Sequence, residues 1–191
     1  MRYSLITIAL LMISLCSSAQ VGIKTNLISD ILASPSLSVE VGLAPKWSID
    51  VTGELNAWTM SHQRRWKHWY AMPEARYWLC RNFSGHFLAL HAIGGQYNIG
   101  GFNGKWNMLG TDARKLKDFR YQGWFGGAGI GYGYAWILDR HWNIEAEIGI
   151  GWTYTRYDKF RCADCGKKVE EDRPHNYVGP TKAAINIVYV F

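Results

Sequence analysis

The last ten residues alternate in character. Ile185, Ile187, Tyr189 and Phe191 share one parity, and Lys182, Ala184, Asn186 and Val188 the other. Period two marks a strand whose two faces meet different surroundings. The pattern recurs along the chain and predicts strands over Val21–Ile28, Leu37–Leu43, Trp47–Ala57, Trp69–Leu79, Phe87–Gln96, Gly123–Leu138, Trp142–Tyr154 and Val178–Phe191. The third is the clearest: Trp47, Ile49, Val51 and Leu55 oppose Ser48, Asp50, Thr52, Glu54 and Asn56. In the fifth, Leu88, Leu90 and Ala92 are assigned outward and His91 inward. In the sixth, Trp124, Ala128, Ile130, Tyr132, Tyr134 and Trp136 face away from a row of glycines, Gly123, Gly127, Gly129, Gly131 and Gly133.

The connections sort by length. Ala44-Pro45-Lys46, Cys80–Gly85 and Asp139–His141 are short, whereas Thr59–His68, Asn98–Gln122 and Asp158–Tyr177 are long. Only the first connection, at Ser34-Pro35, departs from this alternation. Eight strands with short turns at one end and long loops at the other predict an all-β, antiparallel, up-and-down transmembrane β-barrel. A soluble sandwich would point its apolar stripe at a shared core and gives no reason to sort its loops. Pro73 cannot donate to a ladder, so it is expected near the outer rim of the fourth strand or at a bulge.

The N-terminus adds a compartment. Arg2, an apolar run from Leu5 to Leu15 and Ser17-Ser18-Ala19 form a secretory leader, with cleavage expected after Ala19. Residues 1–19 are then the signal peptide and 20–191 the barrel domain. Acylation at Cys16 would need a small residue where Leu15 stands. The expected location is the outer membrane of a Gram-negative cell. Ten Trp and eleven Tyr in 191 residues suit aromatic belts at two membrane interfaces. The terminal Phe191 is the expected mark for the barrel-assembly machinery, and a monomer is expected.

The polar stripe predicts the interior. Lys24, Glu40, Asp50, Glu54, Glu74, Arg76, Glu145, Glu147 and Lys182 all fall on it. A barrel of this size is packed with side chains, so each charge must pair, bind water or take up a proton. A network around Arg76 and Lys182 is expected, with a narrow proton- or ion-linked pore as the alternative. The glycine row is expected to leave room for Arg76 and Trp78. It is not a nucleotide loop, because no helix follows it.

The formal net charge of +6 is read by position. Arg64, Arg65, Lys67, Lys115 and Lys117 fall in expected outer loops, where lipopolysaccharide phosphates would meet them. That location excludes nucleic acid. Cys162 and Cys165 fall in the last outer loop and are expected to form a disulfide. Cys80 is expected free, and no cofactor or metal site is assigned. No His has a Ser two residues later, so no catalytic residue is assigned. A lipid A-modifying enzyme stays as an alternative, through partners distant in sequence.

Gly22-Ile-Lys-Thr-Asn-Leu27, Pro73-Glu-Ala-Arg-Tyr-Trp78, Gln96-Tyr-Asn98 and Gly179-Pro-Thr-Lys182 resemble a family of small outer-membrane proteins catalogued as domain of unknown function 3575. The resemblance runs through the mature chain. It implies an outer-membrane-type barrel and a link to surface fimbria systems, and it carries no catalytic residues. The Cys-x-x-Cys segment is not part of the family pattern.

Overall fold

The computed structural model describes residues 20–58, 65–101, 107–108, 111–112, 119–161 and 166–191. The strands are β1 (Val21–Asn26), β2 (Ser36–Ala44), β3 (Trp47–Asn56), β4 (Arg65–Trp78), β5 (Gly85–Gly100), β6 (Asn107–Met108), β7 (Thr111–Asp112), β8 (Phe119–Ile137), β9 (Trp142–Arg161) and β10 (Lys168–Val190). One short helix, α1, spans Leu27–Ile31. The strands other than β6 and β7 form one sheet in the order β1-β10-β9-β8-β5-β4-β3-β2, which closes on itself. Every neighbouring pair in it is antiparallel. It is an eight-stranded, up-and-down, all-β ring, and among the described residues β6 and β7 pair only with each other. No helix among the described residues is long and apolar enough to cross a membrane.

The eight expected strands are all present, with different ends. The first stops at Asn26 rather than Ile28. Asn26 caps α1 by accepting from the Ile28 amide at 3.1 Å, which turns Leu27 and Ile28 into a helix. The same carbonyl accepts from the Ile185 amide at 3.2 Å, tying the helix to β10.

Strands β4, β5, β8, β9 and β10 run past the expected limits at the end away from Gln20 and Phe191. Arg65 and Lys67 therefore lie in β4, and Arg120 in β8, rather than in loops. The expected long connection Asp158–Tyr177 shrinks for the same reason. Salt bridges Lys168–Asp158 (2.9 Å), Lys159–Glu170 (3.2 Å) and Arg156–Asp172 (2.8 Å) clasp β9 to β10 there. The carboxyl of Asp158 is held below its ordinary range by the Asp172 backbone amide and then by Lys168.

Pro73 lies in mid-strand opposite Val51, not near a rim. On its other side the β4–β5 register passes from Ala71↔Gly94 to Glu74↔His91 with no pair at Pro73. The missing donor is absorbed by a local gap in one ladder.

The seam is short. β1 pairs with β10 only from Gly22↔Val190 to Asn26↔Asn186. Above Asn186, β10 has β9 on one side and, among the described residues, no strand on the other. That edge carries Pro174, Pro180 and the run Lys168–Arg173 of mixed charge, which discourages pairing with another chain.

Candidate functional site

The inner face of the ring is where the chemistry collects. Alternation sends Lys24 in from β1, Glu40 from β2, Asp50 from β3, Glu74 and Arg76 from β4, and Glu145 and Glu147 from β9. None is more than 2% exposed. Lys182 of β10 is slightly wetter, its side chain 9% exposed.

Arg76 is the hub. Its Nε donates to Glu74 at 2.6 Å, and Nη2 to Glu147 at 2.8 Å. Its Nη1 donates to Glu40 at 2.9 Å and to both oxygens of Glu145 at 2.9 and 3.0 Å. The guanidinium also lies 4.6 Å over the Phe87 ring. Lys24 pairs with Glu40 and, at 3.1 Å, with Glu145. Lys182 pairs with Glu74 at 2.8 Å and Glu147 at 2.9 Å.

Neutral groups complete the shell. Ser48 donates to Glu40, and Asn186 donates to Glu145 at 3.0 Å. The Trp78 indole donates to Ser48 at 2.8 Å. His91 and Thr181 share a hydrogen bond of 2.8 Å. Asp50 is the least engaged acid, at 3.7 Å from Lys24 and 3.8 Å from Arg76. Five carboxylates, Glu40, Asp50, Glu74, Glu145 and Glu147, thus meet three cations, Lys24, Arg76 and Lys182. Asp50 Oδ1, Glu147 Oε1 and His91 Nδ1 are buried without a hydrogen-bond partner among the described residues.

Below the cluster the ring is stoppered. Trp78, Phe83 and Phe87 are buried, with Trp78 4.7 Å from Phe87 and 6.1 Å from Phe83 between centroids. Phe83 enters from the β4–β5 turn with φ 60°, a left-handed conformation costly for a bulky residue. Asn143 steadies it by donating to its carbonyl at 2.8 Å.

The glycine row makes room for different residues than expected. A Cβ at Gly133 would lie 2.3 Å from Phe87, one at Gly131 2.7 Å from Glu147, and one at Gly129 2.6 Å from His91. The row accommodates Phe87, Glu147 and His91, not Arg76 and Trp78.

Glu54 is inward but stands apart, near the far end. It pairs with His68 at 2.9 Å and accepts from the Tyr70 hydroxyl at 2.9 Å, with Ser29 also bonded to it. A histidine, a serine and a carboxylate therefore meet here, but the histidine and the serine each bind Glu54 rather than each other. A nucleophile must sit within reach of its base.

The outer face is divided into bands. Trp47, Tyr77, Tyr134, Trp136, Trp142, Tyr189 and Phe191 ring the end that holds Gln20 and Phe191, with Trp47–Tyr77 at 5.1 Å and Trp142–Tyr189 at 5.0 Å. Trp69, Trp124, Trp152 and Tyr154 form a second belt, with Trp124–Tyr154 at 5.9 Å. Exposed aliphatics fill the space between, among them Ile49, Val51, Leu88, Leu90, Ile130, Ile148 and Ile150. Leu88, Leu90 and Ala92 face out and His91 faces in, as the pattern predicts.

Of the basic residues expected at the surface, Lys67 lies on the outer parity of β4 beside Trp69, and Arg65 begins the same strand. Arg64, Lys115, Lys117, Cys162 and Cys165 lie outside the described residues. Cys80 is exposed and free. Sequence reasoning did not assign Phe87, Phe83 and Thr181 to the interior, and it gave Ser48 and Asn186, both on the inward parity, no part in the charge network. An inward aromatic carries no polar mark, and the partners of Arg76 lie up to 71 positions away.

Fold and interior define a small closed β-ring with a salt-bridged centre and an apolar, aromatic-banded exterior. The chain belongs to the family described as protein of unknown function, DUF3575, whose model matches residues 4–191. No curated protein matches it.

Proposed function

We propose that this protein is an eight-stranded β-barrel of the bacterial outer membrane with a structural or surface-interaction role. The observation that carries the reading is the reversal of polarity. Six buried carboxylates lie inside, while a continuous aliphatic band between two aromatic belts lies outside. The band has the right height. Trp124 and Tyr134 lie ten positions apart on β8, roughly 33 Å of strand, or about 25 Å of height at the ~40° tilt usual for such strands. A water-exposed protein has no use for such a band, whereas hydrocarbon demands one; the ring closes through the β1–β10 pairs up to Asn26↔Asn186, and above them the Asn26 side chain bonds the Ile185 amide and the Ala183 carbonyl.

The Trp78–Phe83–Phe87 stopper and the side-chain-filled centre support a closed interior over a pore. The hydrogen-bond order around Glu54 supports a non-enzymatic role over lipid A modification. The partners are outer-membrane lipid and lipopolysaccharide, with the assembly machinery reading Phe191. The tall β8–β9–β10 wall is the surface offered to fimbrial components, the partner class that the family resemblance implies. The test is folding of residues 20–191 from urea into lipid vesicles and, separately, into plain buffer. Heat-modifiable migration on gels after vesicle addition alone is expected. A folded, detergent-free monomer would overturn the reading.

A further inference from the structure

A cleft of about 480 Å³ opens on the outer face at the second aromatic belt, within the size range of small-molecule sites. Lys67 and Trp69 of β4, Gln96 and Asn98 of β5, and Gln122 and Trp124 of β8 line it. We infer that this cleft holds the uncharged sugar rings of an outer-leaflet glycolipid. The inference rests on the membrane reading above, which places the cleft at headgroup level.

The amides come from adjacent strands, Gln96 opposite Trp124 and Asn98 opposite Gln122. Two bonds use part of their capacity: Trp69 Nε1 donates to Gln96 Oε1 at 3.3 Å, and Asn98 Nδ2 donates to Gln122 Oε1 at 3.4 Å. The amide nitrogens of Gln96 and Gln122 can still donate, and Asn98 Oδ1 is a buried acceptor with no partner among the described residues. Neighbouring donors and an acceptor match vicinal hydroxyls, which both give and receive. The half-exposed indoles of Trp69 and Trp124 offer flat faces to the C–H side of a sugar ring. Asp158 at the margin already binds Lys168 and the Asp172 amide. The amide-lined centre suits hydroxyls, with Lys67 and Asp158 at its margins.

The anchor follows from the next row down. Gly53, Ala71, Gly94 and Gly126 pair in sequence across β3, β4, β5 and β8. A Cβ at Gly53 would meet nothing within 4 Å, and one at Gly94 or Gly126 would only graze a carbonyl at 3.9 or 3.8 Å. These small residues leave a shallow lane directly below the amides. The lane gives the first acyl methylenes of a headgroup in the cleft a place to lie. It selects a lipid-borne sugar over a free one.

Native mass spectrometry of the detergent-folded protein, offered equimolar lipid A and phosphatidylglycerol, tests the inference. The wild type is expected to retain lipid A preferentially. Gln96→Leu/Asn98→Leu/Gln122→Leu should lose that preference by about tenfold or more, the scale of two or three lost hydrogen bonds. Trp136→Leu in the other belt should not, and heat-modifiable migration reports folding of each variant. No preference in the wild type, or an unchanged preference in a folded triple variant, overturns the inference and leaves the membrane reading intact. Equal binding of deacylated glucosamine disaccharide overturns the lipid anchor. A protein that folds without detergent removes the membrane reading itself.

Discussion

Replacing Arg76 with Met should be the most damaging single change in the interior. Its guanidinium lies within 3.0 Å of Glu40, Glu74, Glu145 and Glu147, and it is fully buried. Removing one partner of a buried ion pair costs about 3–5 kcal/mol, because the other charge is left behind. Here the loss is softened. Glu40 and Glu145 keep Lys24, and Glu74 and Glu147 keep Lys182. The cost should therefore fall near the lower bound, about 3 kcal/mol, a large share of a stability of about 5–15 kcal/mol. Lys24→Met should cost less, since Glu40 and Glu145 retain Arg76. Lys182→Met should cost least, since its side chain alone in the cluster reaches solvent. Reversible urea unfolding in phospholipid vesicles, followed by tryptophan emission, measures all three. The expected order of loss is Arg76, then Lys24, then Lys182. Adding Glu145→Gln to Arg76→Met should recover part of the loss by removing one of the surplus acids. A stability for Arg76→Met within about 0.5 kcal/mol of wild type, or an inverted order, would refute the view that the three cations hold the interior together.

Gly133→Ala would drive a methyl to within 2.3 Å of Phe87 and should cost about 1–3 kcal/mol. Gly53→Ala, with open space around it, should be neutral or slightly stabilising; unfolding midpoints separate the two. Ile148→Arg, in the middle of the aliphatic band, should cost about 2–4 kcal/mol in vesicles, whereas Gln122→Arg above the belt should cost about 0–1 kcal/mol. Asp158 has its proton affinity lowered by folding, so its contribution to the β9–β10 clasp is present above the ordinary carboxylate range and fades as pH falls through it. Hydrogen-exchange protection of the Asp172 amide should drop as pH is lowered from neutral to below the ordinary carboxylate range, and pH-independent protection would contradict that.

How much of this could be read from the chain varies by region. The β3 alternation from Trp47 to Asn56 gave facing and extent almost residue by residue, because one face is uniformly apolar and the other uniformly polar. The interior charges were legible for the same reason. Their partners were not: the contact between Arg76 and Glu145 depends on the register of β4, β5, β8 and β9 together, which a single sequence does not encode locally. The upper parts of β4, β8, β9 and β10 were hidden because, above the belt, outward residues such as Lys67, Gln122 and Asp158 become polar. Alternation then loses its contrast although the strand continues. The helix at Leu27 was masked by a stretch that also fits a strand. Its cap, Asn26, is informative only once its bond to Ile28 is seen. Phe87 was opaque in another way, since an apolar side chain on the inner face looks like one on the outer face until closure separates them.

The central claim is that the aliphatic stripe meets lipid and the carboxylate stripe does not. Nitroxide labels placed singly at Glu145, Ala146, Glu147, Ile148, Gly149 and Ile150 of β9, in protein folded into vesicles, test it directly through accessibility to oxygen and to a water-soluble nickel chelate. High oxygen and negligible nickel accessibility at 146, 148 and 150, with both low at 145, 147 and 149, is the predicted result. Strong nickel accessibility at Ile148 in the folded protein would contradict it.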